Sequence, residues 1–209
     1  TTGAGRMFYM QIRTVVPMEC SANIAWCAVH DPAVAAKLYW PLLQMRVKSG
    51  VQLPQAFLSG SQVDVALYLF GRFCVGSQRI TIEDLPQVEF APGTRTMRDA
   101  GRPLSGPLAL LKYWNHEISI CPTRSHTAIW NDELTIGGIF APVFFVLLQP
   151  MWHWRGTKLR RLARHWVDEH QLRQFQGTPL PKAQGVSKSR IFITALALRK
   201  DLKRHDLHT

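Results

Sequence analysis

The chain has 209 residues, of which 46% are hydrophobic and 19% charged. That composition builds a globular core and excludes a disordered tail or a coiled coil, and the length suits one large domain or two small ones. Lys and Arg number 25 against 14 Asp and Glu, a formal net charge of +11, which disfavours cationic substrates and favours a polyanionic partner, either nucleic acid or anionic lipid.

The charge is concentrated. Thr1 to Trp154 carries 12 basic and 10 acidic side chains, whereas Arg155 to Thr209 carries 13 and 4. A solubility device spreads its charge and a binding face gathers it, so the C-terminal quarter is expected to bind a polyanion. This divides the chain into a flexible tail at 1–6, an α+β core at 7–154, and a basic RNA-binding helix, loop and final strand at 155–209.

Met7 to Val16 alternates and is rich in β-formers, which predicts a first strand stopped by Pro17. Ser21 can cap a helix through Ala22–Val29, with Ile24, Ala25, Cys27 and Ala28 as candidate buried positions. Asp31 and Pro32 form an N-cap and first-turn proline that restart a helix over Ala33–Trp40. Val63 to Gly71 reads as a central strand and Phe73 to Ile82 as its neighbour. Ala91 to Pro107 is rich in Pro and Gly and reads as a loop, where Arg95, Arg98 and Arg102 could approach phosphates closely. Pro107 to Trp114 reads as a short helix, and Glu117 to Ile120 and Thr127 to Trp130 as short strands.

Ile136 to Trp154 lacks Asp, Glu, Lys and Arg and precedes a basic run, the order of a membrane span with a positive flank. A span needs about 20 predominantly apolar residues. The uninterrupted apolar run is only Val143 to Leu148, so a buried strand is favoured over a membrane. Lys158 to Leu172 follows as an amphipathic helix with Thr157 as its N-cap. Leu159, Leu162, Ala163, Trp166 and His170 share one arc; Lys158, Arg160, Arg161, Arg164 and His165 share the opposite one. Cations in its first turns oppose the helix dipole, which points to a task for them. A loop carrying Lys182, Lys188 and Arg190 then leads to a last strand, Ile191 to Leu198. Strands separated by helices and ending in a strand predict an α+β fold, a ferredoxin-like or RRM-like sheet in one or two units.

Catalytic templates are mostly missing: no phosphate-cradling loop, dinucleotide fingerprint, nucleophile elbow or HExxH is present. Cys20, Cys27, Cys74 and Cys121 are far apart and read as buried reduced thiols of a cytoplasmic protein. His116 and Cys121 are the only near neighbours of metal-ligand type, and no metal or other cofactor is expected. The acidic pairs Glu83-Asp84 and Asp132-Glu133 fit turns and helix starts better than a two-metal centre. Metal-free RNA cleavage needs only a base, an acid and cations near the phosphate, and histidine suits the base. Among eight histidines, His30 stands out because it ends an apolar helix and precedes a helix-starting Asp-Pro; the alternative is a helix-terminal histidine bonded to backbone.

The first strand FYMQIRTVV, the histidine-ended helix SANIAWCAVH, the stretch GVQLP, the arginine-rich KLRRLARHW and the late RIFITALAL together resemble the CRISPR-associated repeat-binding endoribonucleases of the RAMP superfamily. The resemblance implies a subunit of a CRISPR ribonucleoprotein in antiviral defence that binds the repeat-derived hairpin of guide RNA. It also implies cleavage of precursor RNA by metal-independent attack of the 2′-hydroxyl, with His30 as general base and Lys158, Arg160, Arg161 and Arg164 holding the stem. Other subunits of the complex would be its partners. The alternatives are a non-catalytic backbone or capping subunit, a DNA-binding module, and a membrane-associated basic protein.

Overall fold

A computed structural model describes residues 7–47, 54–87 and 91–175. Its elements run β1 (Phe8–Met18), α1 (Ala22–Val29), α2 (Pro32–Tyr39), β2 (Leu43–Val47), β3 (Gln62–Leu69), β4 (Phe73–Leu85), β5 (Arg95–Asp99), β6 (Arg102–Ser105), a 3-10 turn at Pro107–Leu110, β7 (Tyr113–Pro122), β8 (Ala128–Gly138) and α3 (Ala141–Phe175). The chain divides into two units, Thr1–Arg164 and His165–Thr209, and the whole sheet belongs to the first. The expected loop with Lys182, Lys188 and Arg190, and the strand Ile191 to Leu198, lie outside the described residues.

The eight strands form one sheet of order β1-β8-β7-β5-β4-β3-β2, with β6 beside β4. Every pairing is antiparallel. This corrects the ferredoxin-like or RRM-like expectation. A ferredoxin-like unit alternates strands and helices through the sheet, whereas here the two short helices come early, six strands follow β2 without an intervening α-helix, and one long helix closes the unit.

Local chemistry explains the ends of the early helices. Ser21 Oγ accepts from the Ile24 amide, and the Asp31 carboxylate from the Ala33 amide at 2.7 Å with Pro32 beginning α2, so orphan donors of both first turns are satisfied. Ala25, Ala28 and Val29 are buried while Cys27 is exposed. Cys74 is exposed as well, Cys121 half-buried and Cys20 buried, so the expected set of buried thiols holds only at Cys20. Pro17 does not end β1, because β1 is an edge strand, where a missing amide hydrogen is tolerated.

The expected Pro/Gly loop at Ala91 to Pro107 contains two strands. They are joined at a break in the ladder that Asp99 repairs: its Oδ1 accepts from the Thr81 amide at 2.8 Å and the Gly101 amide at 2.9 Å. Gly101 has to lack a side chain, since a Cβ there would stand 1.9 Å from the Arg79 carbonyl oxygen.

Val143 to Leu148 belongs to α3 and not to a strand. The helix buries Ala141, Phe144, Leu148, Trp152, Arg155, Leu159 and Ala163, a spacing of three and four residues that keeps one stripe against the sheet. Val143, Val146 and Leu147 are exposed between them; a strand would have buried every second residue. Thr157 is interior to this helix, and its hydroxyl donates to the His153 carbonyl at 3.2 Å. Among the described residues no helix is long and apolar enough to cross a membrane.

Gly156 sets how closely α3 approaches β1. A Cβ at this position would lie 2.6 Å from Thr14 Cγ2. Gly156→Ala is therefore expected to destabilise the protein by about 1–3 kcal/mol through overpacking, although Ala is normally the better helix former. In a Thr14→Ser background, which removes that methyl, the same substitution should be neutral or stabilising. Urea unfolding of the four proteins checks this, and an unchanged penalty in the Thr14→Ser background would refute the contact.

Candidate functional site

Side chains from six strands, β2, β3, β4, β5, β7 and β8, converge with α1, α2 and α3 on a cavity of about 100 Å³. Its walls are mostly apolar, including Ala28, Val34, Leu38, Leu67, Ile82 and Leu148, with Gln78, Asp99, His116, Arg155 and Tyr39 among them. The polar members arise from strand alternation. On β8, Trp130, Asp132, Leu134 and Ile136 are all buried, and on β7, His116, Ile118 and Ile120, so Asp132 and His116 occupy inward positions of otherwise apolar rows.

Asp132 is the hub. Its Oδ1 accepts from His116 Nε2 at 2.8 Å and Trp152 Nε1 at 3.0 Å, and its Oδ2 lies 3.1 Å from Arg155 Nη2. Burial alone would raise the Asp132 pKa. Arg155, His116 and the Trp152 N–H together outweigh burial and hold it below the ordinary carboxylate range. The ionised carboxylate can only accept, so the ring proton of His116 that faces it sits on Nε2. Arg155 stacks over the Tyr39 ring at 4.5 Å and the Trp152 ring at 4.7 Å. Burial raises the Tyr39 phenol, with Arg155 opposing. Burial also raises the Asp99 carboxyl, opposed by the Thr81 amide, by His116 and by the Gly101 amide.

Among the described residues, the candidate catalytic and RNA-binding residues His30, Arg95, Arg98, Arg102, Lys158, Arg160, Arg161, Arg164 and His165 do not line this cavity, whereas His116 does. His30 ends α1 with Nδ1 3.0 Å from the Trp26 carbonyl oxygen and Nε2 2.9 Å from Asp84 Oδ1, so both ring nitrogens are engaged within the protein. Arg95 bonds Asn23 Oδ1 at 2.5 Å and lies over Trp26, and Arg98 pairs with Glu83 at 2.5 Å. These two arginines sit an odd number of residues apart on β5 and so face opposite sides of the sheet; Arg102 is exposed on β6. Lys158 donates to the Trp40 carbonyl oxygen at the end of α2, and burial lowers its pKa. Arg160, Arg161, Arg164 and His165 are exposed on α3, with Arg164 3.9 Å from Glu19.

The expected turn and helix-start roles of the acidic pairs are corrected too. Glu83 and Asp84 lie in β4, and Asp132 and Glu133 in β8. His116 does not face Cys121 as a ligand partner, since Cys121 Sγ accepts from Asn131 at 3.3 Å.

An antiparallel sheet closed by a long helix over an internal cavity is the class of fold this chain shows. No family model and no curated protein matches its sequence. Similar solved structures include a norcoclaurine synthase point mutant from Thalictrum flavum, in complex with a transition-state analogue (15% identity, 77% of this chain and 97% of that one, TM-score 0.48). An aromatase/cyclase from a Streptomyces species gives 11% identity over 77% and 96%, TM-score 0.49, and a START superfamily protein from Mycobacterium smegmatis 11% over 74% and 97%, TM-score 0.45. At these identities and scores no activity is carried across to this chain.

None of the three is a CRISPR-associated protein, and the ferredoxin-like unit that the resemblance implied is absent from the described residues. The assignment to the RAMP superfamily is thereby overturned. With it go the guide-RNA-binding, ribonucleoprotein, antiviral-defence and endoribonuclease readings that followed from it. Three of the pieces that suggested it are generic, an edge strand, a capped helix and one face of α3; RIFITALAL and all of GVQLP but Pro54 lie outside the described residues.

Asp132→Asn keeps the shape of the hub but strands Arg155 as a buried unpaired charge, so a loss of about 3–5 kcal/mol is expected near neutral pH. An Asp in the unfolded chain titrates near 3.8 and the folded value is lower. The stabilisation is therefore complete above that value and disappears as pH falls through the folded one. Urea midpoints of wild type and Asp132→Asn should differ by a constant amount above the ordinary carboxylate range and converge as the pH falls below it. A gap independent of pH would disprove the ion pair.

Proposed function

We propose that this chain binds a small, predominantly apolar molecule inside the cavity between the sheet and α3. The observation that carries the reading is the cavity itself: an interior space with mostly apolar walls and a few convergent polar side chains is the usual form of a small-molecule site. The polar cluster sits on rigid strands and a long helix, where the positions of its groups are held by packing. Its volume, about 100 Å³, is on the scale of the roughly 150 Å³ apolar cavities that accept benzene.

Toluene is a suitable first probe, read by quenching of tryptophan fluorescence and by thermal unfolding. Saturable quenching and a rise in Tm with ligand concentration are expected, as for any ligand that binds only the folded state. Ala35 lines the cavity from α2 and is only half-buried, so Ala35→Phe can place a ring there with little damage to the fold. It should weaken toluene binding about tenfold or more. Absence of saturable binding by the wild type would refute the reading.

A further inference from the structure

Residues that line the cavity carry four buried nitrogen atoms with no hydrogen-bond partner among the described residues: Arg155 Nε and Nη1 on α3, and Trp114 Nε1 and Trp130 Nε1, six residues apart along the β7–β8 ladder. Arg155 is only 3% exposed and Trp130 only 1%. All four atoms carry hydrogens and no usable lone pair, so each can donate and none can accept. Leaving such groups unpaired is costly. The site is therefore short of acceptors, and a ligand that satisfies it has to bring oxygen lone pairs.

The charges around Arg155 decide what kind of oxygen. Its guanidinium is already balanced by Asp132 at 3.1 Å. Asp99 lines the same cavity, with its Oδ1 held by the Thr81 and Gly101 amides. A ligand carboxylate would place an uncompensated negative charge near both acids, in a site with little water to screen it. A neutral carbonyl oxygen satisfies the donors without that charge.

We propose that the ligand of this cavity is a compact apolar molecule with a neutral carbonyl group, a ketone, aldehyde or ester, whose oxygen is received by the unpartnered Nε and Nη1 hydrogens of Arg155. The inference rests on the cavity being a binding site and adds the chemical class of its occupant. Arg155 is the positioning centre: Asp132, Tyr39 and Trp152 hold its plane in place, and its Nε and Nη1 hydrogens remain for the ligand.

Three probes of nearly equal shape separate the possibilities: cyclohexanone, methylenecyclohexane, which replaces the oxygen by a methylene group, and cyclohexanecarboxylate. Binding is read by two-dimensional 1H–15N NMR, in which the side-chain Nε–H of Arg155 and the indole N–H groups report directly. Cyclohexanone is expected to bind about tenfold or more tighter than methylenecyclohexane, to bind tighter than the carboxylate, and to shift the Arg155 side-chain Nε–H resonance. Arg155→Met combined with Asp132→Asn removes both charges together and should abolish the preference for the ketone over methylenecyclohexane.

Arg155→Lys keeps the charge beside Asp132 and loses the guanidinium Nε and Nη1 donors; it should lower the ketone preference about threefold and serves if the double variant does not fold. Equal binding of ketone and alkene would overturn the inference and leave the cavity reading intact. Tightest binding by the carboxylate would overturn it in favour of an anion site. If none of the three binds, the proposed function falls and this inference falls with it.

Discussion

The ion pair between Asp132 on β8 and Arg155 on α3 is the constraint around which the described fold is arranged. Two opposite charges taken out of water lose most of their hydration, and only close, fully bonded geometry offsets that loss. Here the carboxylate reaches His116, Trp152 and Arg155 at once. The helix cannot rotate or slide by one residue without stranding a charge. Apolar packing between α3 and the sheet, through Ile12, Leu134, Ile136, Phe144, Leu148 and Trp152, tolerates small displacements; the ion pair selects one of them.

That choice of register depends on two places where a side chain is absent. Gly156 follows Arg155 and lets α3 approach Thr14 on β1, which stands directly opposite Asp132 in the sheet. Gly101 lets the chain between β5 and β6 pass against β4, and Asp99, two residues earlier, closes the hydrogen bonds there. Each glycine thus brings a titratable side chain to the cavity wall. Lys158 adds a tie between α3 and the carbonyl end of α2, where a cation also complements the helix dipole.

The early helices were legible because their caps are local: Ser21, Asp31 and Pro32 act within one turn of themselves. Leu159, Ala163 and Trp166 were legible as the buried arc of α3 for the same reason, since periodicity needs no knowledge of the partner. What stayed hidden was set at a distance. Helix formation over Val143 to Leu148 is decided by a sheet whose last strand ends at Gly138, and Pro150 lies at an exposed position that lets the helix continue. The strands β5 and β6 look like loop because their break is repaired by Asp99. Asp132 carried a readable signal, an acid at the inward phase of Ala128, Trp130, Leu134 and Ile136, but the adjacent Glu133 made the two read as an acidic turn.

The charge asymmetry has a different meaning once the two sides of α3 are separated. Arg160, Arg161 and Arg164 face solvent, where cations need no partner and a long helix has to be polar to stay soluble. Arg155 belongs to the same basic run in sequence but lies on the opposite side of the helix and is almost completely buried. A count of charges weights these residues equally, whereas the energetics do not: an exposed guanidinium is hydrated, and a buried one has to be matched atom by atom. Asp132 matches part of Arg155. The nitrogens that it leaves unmatched give the interior a demand for acceptors that the outer cations do not have. The least exposed arginine of the run is therefore the one whose hydrogen bonds the described residues leave incomplete, and it is also the one that fixes the packing of α3 on the sheet.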